Sequence, residues 1–336
     1  MKHGIRPGGS VAFRRTLAPS LALAALLSGC SDATRITNPG GDTGGNHLVV
    51  FSSDRGQSVG QYDLYLYDLD AGGFRQTYSV SDASFADRWP TIRSDARLIA
   101  FSSDRGGTTG SDILMLDRAA RSLILLNGVN TAQNEIEPTF TGDGLKMTFV
   151  RQIGLSLRVR LVNGVNDQLI PLPGLDTTAT YNDFSPSPDQ TANRIAFCSD
   201  RNGDFDVFVY DRGGESLMVL PDLVSDSSDV DPSLSADGRY LCFASSRIGG
   251  TGGFDLYLYD LTTRTFITPP ATLNTAQDER HPSIGATGSA VAFQSNRSTG
   301  LGKNDIFFWL RSTGAVSQPP GLANAGDDIE PSLRWP

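Results

Sequence analysis

Cysteine, histidine and clustered basic residues are all scarce in this 336-residue chain, and each scarcity narrows what it can be. The three cysteines are Cys30, Cys198 and Cys242, and no C-x-x-C pair is present to hold a metal or a redox centre. After residue 46, histidine occurs only at His47 and His281, far apart in the sequence. No G-x-S-x-G elbow or H-E-x-x-H pair occurs either. The sequence therefore predicts a protein that is not an enzyme, with no catalytic residue, cofactor or metal ligand assigned. The formal net charge is −9, and residues 47–336 carry no Lys/Arg cluster, which excludes nucleic acid as a partner on electrostatic grounds. A cationic group fits the sign better. The apolar run at residues 17–27 is about 11 residues long, too short to cross a bilayer as a helix. No segment shows sustained 3.6-residue periodicity, so a helical solenoid is excluded.

What the chain has in quantity is turn-forming residues, with 36 glycines and 18 prolines. Such a composition favours many short strands joined by turns. The first 16 residues carry Lys2, Arg6, Arg14 and Arg15 and no acid; the apolar run follows, and then Leu27-Ser28-Gly29-Cys30. A basic segment, a short apolar segment and small residues before a cut describe a secretory signal. The tetrapeptide resembles the bacterial lipobox. That resemblance implies that residues 1–29 are a lipoprotein signal peptide and that Cys30 becomes the lipidated first residue. Two or three acyl chains give stable anchoring where one would be marginal. Ser31, rather than aspartate, follows the cysteine, and by the same resemblance implies the outer membrane, facing the periplasm. Residues 30–46 read as a flexible tether rich in Gly, Ser, Thr, Asn and Asp.

Two markers recur through the remainder. An apolar strand ends near a phenylalanine at Phe51, Phe101, Phe149, Phe197, Phe243 and Phe293. A proline keeps step at Pro90, Pro138, Pro186, Pro232, Pro282 and Pro331. The shared period is about 48 residues, and each unit holds about four strands, a signature of propeller blades. The first unit lacks its opening strand, and the chain stops on a lone opening strand at residues 330–336. The two fragments complete one blade. The predicted fold is thus all-β: a six-bladed β-propeller of four-stranded antiparallel blades over residues 47–336, closed by the C-terminal strand. Closure hides edges that an open array would expose.

The run Pro-Ser-Leu-Ser-Ala-Asp-Gly-Arg-Tyr-Leu-Cys-Phe-Ala-Ser-Ser-Arg, followed by Asp-Leu-Tyr-Leu-Tyr-Asp, resembles the WD-like repeat of TolB-type β-propellers. TolB proteins carry an α/β domain before the propeller, and only 16 residues separate Cys30 from the first strand here. The resemblance implies the fold, and it transfers no partner. Cys198 and Cys242 occupy equivalent strands of adjacent blades on faces that do not confront each other, so both are expected as free buried thiols.

Three polar positions recur. An acid stands three residues before each proline: Asp87, Glu135, Asp183, Asp229, Glu279 and Asp328. An arginine stands four after the phenylalanine in five units: Arg55, Arg105, Arg201, Arg247 and Arg297. An aspartate opens the third strand in five units, at Asp63, Asp112, Asp206, Asp255 and Asp305. Strand antiparallelism collects all three at one rim. Two roles fit them. Each arginine can bridge the acid and the aspartate as a structural pin. The six acids can instead form a partner-binding ring at the channel mouth. The third unit departs from the rule, with Arg151 or Arg158 as substitutes for the missing arginine. Trp89 and Trp309 are expected in the core.

The functional expectation is a monomeric, lipid-anchored envelope module that binds another envelope protein or a basic peptide segment. The alternative is a carbohydrate-active or glycan-binding module, since a two-carboxylate glycosidase remains open where acids abound. Replacing Cys30 (Cys30→Ser) is expected to move the protein from the membrane to the soluble fraction on cell fractionation. Retention of the variant in membranes would overturn the lipid anchor.

Overall fold

Alternating apolar strands of about six residues, separated by turn residues, leave each repeat one solution, a small antiparallel sheet that buries both faces against its neighbours. A computed structural model describes residues 47–77, 84–106, 110–164, 166–175, 180–297 and 303–336. The signal segment, Cys30 and the tether lie outside the described residues. Blade five shows the plan, with strands Asp229–Leu234, Tyr240–Ser245, Asp255–Asp260 and Thr265–Ile267 in consecutive order. The two middle strands are almost wholly buried, and the outer one is largely exposed. Six such sheets form the propeller.

Blade one is completed by the end of the chain. Asp328–Arg334 pairs antiparallel with Leu48–Ser53, from Leu48 opposite Arg334 to Ser53 opposite Asp328. The expected closure is therefore present, and it removes the one edge the ring would otherwise leave open.

The two sequence markers meet in space. In every blade the inner strand bulges, and the residue-proline pair of the bulge stands opposite the marker phenylalanine. In blade two, Arg88 pairs with Ser102 and Thr91 with Ala100, which leaves Trp89-Pro90 facing Phe101. The same shift brackets Phe51, Phe149, Phe197, Phe243 and Phe293. Proline suits a bulge because it has no N–H to give to the ladder. The residue before it takes a left-handed backbone in all six blades, with φ between +46° and +57° at Trp89, Glu137, Ser185, Asp231, His281 and Glu330. The phenylalanines themselves are fully buried between blades.

A hydroxyl ring ties blade to blade. The Ser or Thr after the proline accepts a hydrogen bond from a backbone N–H of the next inner strand. Ser187 accepts from Leu234 at 2.8 Å, Ser283 from Leu333 at 2.9 Å, and Ser233 from Ile284 at 3.0 Å. Thr91 accepts from Phe140 and Ser332 from Ile92, both at 3.3 Å. The third blade lacks this staple, since Thr139 faces the position of Pro188, which has no N–H to donate.

Cys198 and Cys242 are free and buried, and burial pushes the Cys242 thiol up to about 12. Deleting residues 329–336 removes the buried Ile329 and Leu333 and unpairs Leu48–Ser53. Two large apolar side chains alone are worth several kcal/mol. The deletion is expected to lower Tm by ~10 °C or more in a circular-dichroism melt. An unchanged melt would contradict closure.

Candidate functional site

The predicted rim residues come together, but the acids do not face solvent. All six are fully buried. Each forms an ion pair with an arginine: Asp87 with Arg105, Asp183 with Arg201 at 2.6 Å, Asp229 with Arg247 at 2.8 Å, Glu279 with Arg297 at 3.0 Å, and Asp328 with Arg55. In the third blade Arg151, two residues after Phe149, reaches Glu135 at 2.8 Å. The tight hairpin between Lys146–Ile153 and Ser156–Asn163 replaces the long loop of the other blades and brings Arg151 into place. Arg158 points elsewhere, bonding the carbonyls of Leu157 and Tyr181.

Each of these arginines also lies over its marker phenylalanine, with the guanidinium 5.1–5.9 Å from the ring centre. Several bind carbonyls of the preceding loop, as Arg247 does with Asp222 at 3.1 Å and Leu223 at 2.8 Å. Burial pushes the carboxyls of Asp87 and Asp328 up to about 6 against the pull of their arginines. The strand-three aspartates do different work from that expected. Asp206 accepts from Asn202, and Asp255 from the backbone of Thr251 and Gly252, so both shape the adjoining loop.

The groups that do face the channel are the six left-handed residues before the prolines. Trp89, Glu137, Ser185, Asp231, His281 and Glu330 line one cavity with their prolines and the hydroxyl ring, an empty volume of about 620 Å³ that opens to solvent. Its floor lies at the turns between first and second strands. There the backbones bond one to the next, Asp143 to Gln190 at 2.9 Å, Gln190 to Ala236 at 2.7 Å, Asp237 to Ala286 at 3.1 Å and Ala286 to Trp335 at 2.8 Å. The arginine rim stands at the opposite end of the inner strands, here called the mouth. Trp89 thus lines the channel rather than the core, whereas Trp309 is buried as expected.

The channel carboxylates alternate with Trp89, Ser185 and His281. Each accepts the backbone N–H of the channel residue in the next blade: Glu137 from Ser185 at 2.5 Å, Glu330 from Trp89 at 2.8 Å, and Asp231 from His281 at 3.3 Å. Glu330 is also gripped by Arg88, and Asp231 by Arg280 at 2.9 Å. Burial opposes ionisation of Asp231, but His281 and Arg280 outweigh it and hold the carboxyl below the usual range. Among the described residues no arginine, lysine or histidine pairs with Glu137. Burial in the narrow channel pushes it up to about 7, with Glu330 and Asp231 adding to the rise and Ser185 opposing it.

Sequence reasoning missed this ring because five different residue types occupy its six positions. The available signal was the opposite one, a position fixed one before each proline that varies through Trp, Glu, Ser, Asp, His and Glu. A raised folded pKa means that Glu137 supports stability below about 4.5, and that this support is lost as pH rises through about 7. Glu137→Gln is therefore expected to abolish a fall in unfolding free energy of about 2 kcal/mol between pH 5 and 8, discounted for the solvent in the channel. Parallel pH–stability curves for the two proteins would refute the shift.

No protein-family model matches the chain, and no curated protein matches its sequence. Solved structures match its fold. TolB from Acinetobacter baumannii aligns with a TM-score of 0.66 at 18% identity, covering 88% of this chain and 68% of that one. A putative TolB from Agrobacterium tumefaciens gives 0.56 at 12%, covering 85% and 97%. Oligogalacturonate lyase from Vibrio parahaemolyticus gives 0.52 at 13%, covering 80% and 73%. Puromycin-hydrolysing and prolyl peptidases share the same architecture. This corrects the expectation of a non-enzyme: structures that share the fold include peptidases, of which this chain spans 39–46%, and a lyase. What the likeness establishes is the architecture: the chain folds as a TolB-like six-bladed β-propeller.

Proposed function

We propose that this chain is a protein-binding module of the bacterial cell envelope, held to a membrane by lipid on Cys30, which engages another envelope protein over the channel mouth. The observation that carries the reading is the contrast between a scaffold repeated six times and a channel ring in which five different residue types fill the six positions. Repeated groups serve the fold. A ring of unlike groups at one fixed position makes an asymmetric surface, which is what recognition of one partner requires. The likeness to TolB structures supports the envelope setting.

Chain direction adds to this reading. His47 leads into Leu48, which pairs with Arg334 at the end of blade one away from the Ser53–Asp328 rim. The described chain therefore enters the propeller at the end opposite the arginine rim. The mouth offers a partner Trp89 and His281 as half-buried contacts, and a net negative protein draws a basic segment toward it.

A photo-crosslinking residue placed at Trp89 or at His281 in living cells is expected to yield one discrete adduct with an envelope protein. The same residue at Phe266, on the outer strand of blade five, is expected to yield none. Adducts of equal yield from all three positions, or none from the mouth, would sink the docking face.

A further inference from the structure

Two of the three channel acids are neutralised from the blade that follows. Arg88 stands two residues before Pro90 and holds Glu330. Arg280 stands two before Pro282 and holds Asp231. The equivalent position for Glu137 is Phe184, whose ring meets Phe205 edge-on at 5.3 Å. Among the described residues Glu137 forms no ion pair. The hydroxyl staple fails at the same junction, where Pro188 supplies no N–H. Two departures from the repeat thus coincide between blades three and four, on the wall of the cavity lined by the six channel residues. Local departures from a consistent pattern are where function is to be sought.

We propose that Glu137, with Ser185 beside it, receives a single primary ammonium group, such as a lysine side chain or a free N-terminus, delivered down the funnel. Glu137 accepts the Ser185 N–H at 2.5 Å and a side-chain hydrogen bond from Ser185, and a carboxylate keeps lone pairs for a further donor from the channel. A guanidinium is best held by both oxygens in parallel, whereas an ammonium is a compact point charge that needs one. The Ser185 hydroxyl can accept a second ammonium proton. A divalent cation would need further carboxylates, and Asp231 and Glu330 are tied to their arginines. The inference deepens the reading of the mouth as a docking face and rests on it for the ligand's source.

The charge environment fixes the pH dependence. Across the channel, Glu330 and Asp231 disfavour ionisation of Glu137, and His281 lies 3.6 Å from Asp231. On the strands packed beside it, Glu135, Asp87 and Asp183 are each paired with an arginine. A carboxyl titrating at about 7 goes from roughly a tenth ionised at pH 6 to roughly nine-tenths at pH 8. Affinity for a cation rises with it.

The test is an NMR titration with Nα-acetyl-lysine amide, with the norleucine and arginine analogues as controls. The lysine probe is expected to bind about tenfold more tightly at pH 8 than at pH 6. The norleucine analogue is expected not to bind, and the arginine analogue to bind more weakly than lysine. Glu137→Gln, which keeps the shape of the side chain, is expected to abolish binding with the fold intact by thermal melt. Phe184→Arg, which restores the guanidinium of the other junctions, is expected to abolish it too. Undiminished binding to Glu137→Gln, equal binding of the norleucine analogue, or no binding of the lysine probe to the wild type would each overturn the site. The titration uses no partner, so its failure bears on this site alone, and failure of the crosslinking bears on the docking face.

Discussion

An arginine buried over a phenylalanine, with a carboxylate at its tip, joins three otherwise separate parts of each blade. The acid belongs to the inner strand, the arginine follows the second strand, and the carbonyls it binds belong to the loop arriving from the blade before. In blade five, Arg247 touches Asp229, Leu223 and the ring of Phe243 at once. Stacking on the ring desolvates the guanidinium's faces and leaves its edge for the acceptors. Such a pair is not a large net source of stability, since burial of both charges offsets most of their attraction. Its effect is to fix geometry. Loss of one partner would strand a charge in the interior at a cost of about 3–5 kcal/mol, so alternative loop arrangements are closed off.

That constraint decides what the channel can present. With all six rim acids committed, the negative charge open to a ligand comes from the bulge positions two residues further in. The bulge puts each of these side chains on the axis by taking a left-handed backbone, which costs of order 1 kcal/mol for a non-glycine residue. The cost recurs in every blade, whatever the side chain. The bulge is thus a mounting common to all repeats, and only the group mounted on it changes.

The blade count, the closure and the rim pairs were legible because each rests on residues that recur. Phe and Pro keep a common period since they face each other across one bulge. The acid and the arginine keep theirs since they form one ion pair. Even the third unit's irregularity showed in the sequence, as an arginine out of place at Arg151. The channel ring was not legible, because its members share a backbone conformation while only three of the six, Glu137, Asp231 and Glu330, share a chemistry. Trp89 was expected in the core, and the bulge at Trp89-Pro90 turns it to the channel instead.

The mouth's electrostatics are therefore written in pairs of adjacent repeats rather than in single ones. An acid before the proline of one blade is silent when the next blade has arginine two before its own proline, and active when it does not. Blades one and two are the first case, through Glu330 and Arg88; blades three and four are the second, through Glu137 and Phe184. Exchanging one residue in the later blade would switch the charge at that junction on or off without altering the acid itself. A propeller built this way can change what it recognises while the arginine pins that hold it together stay untouched.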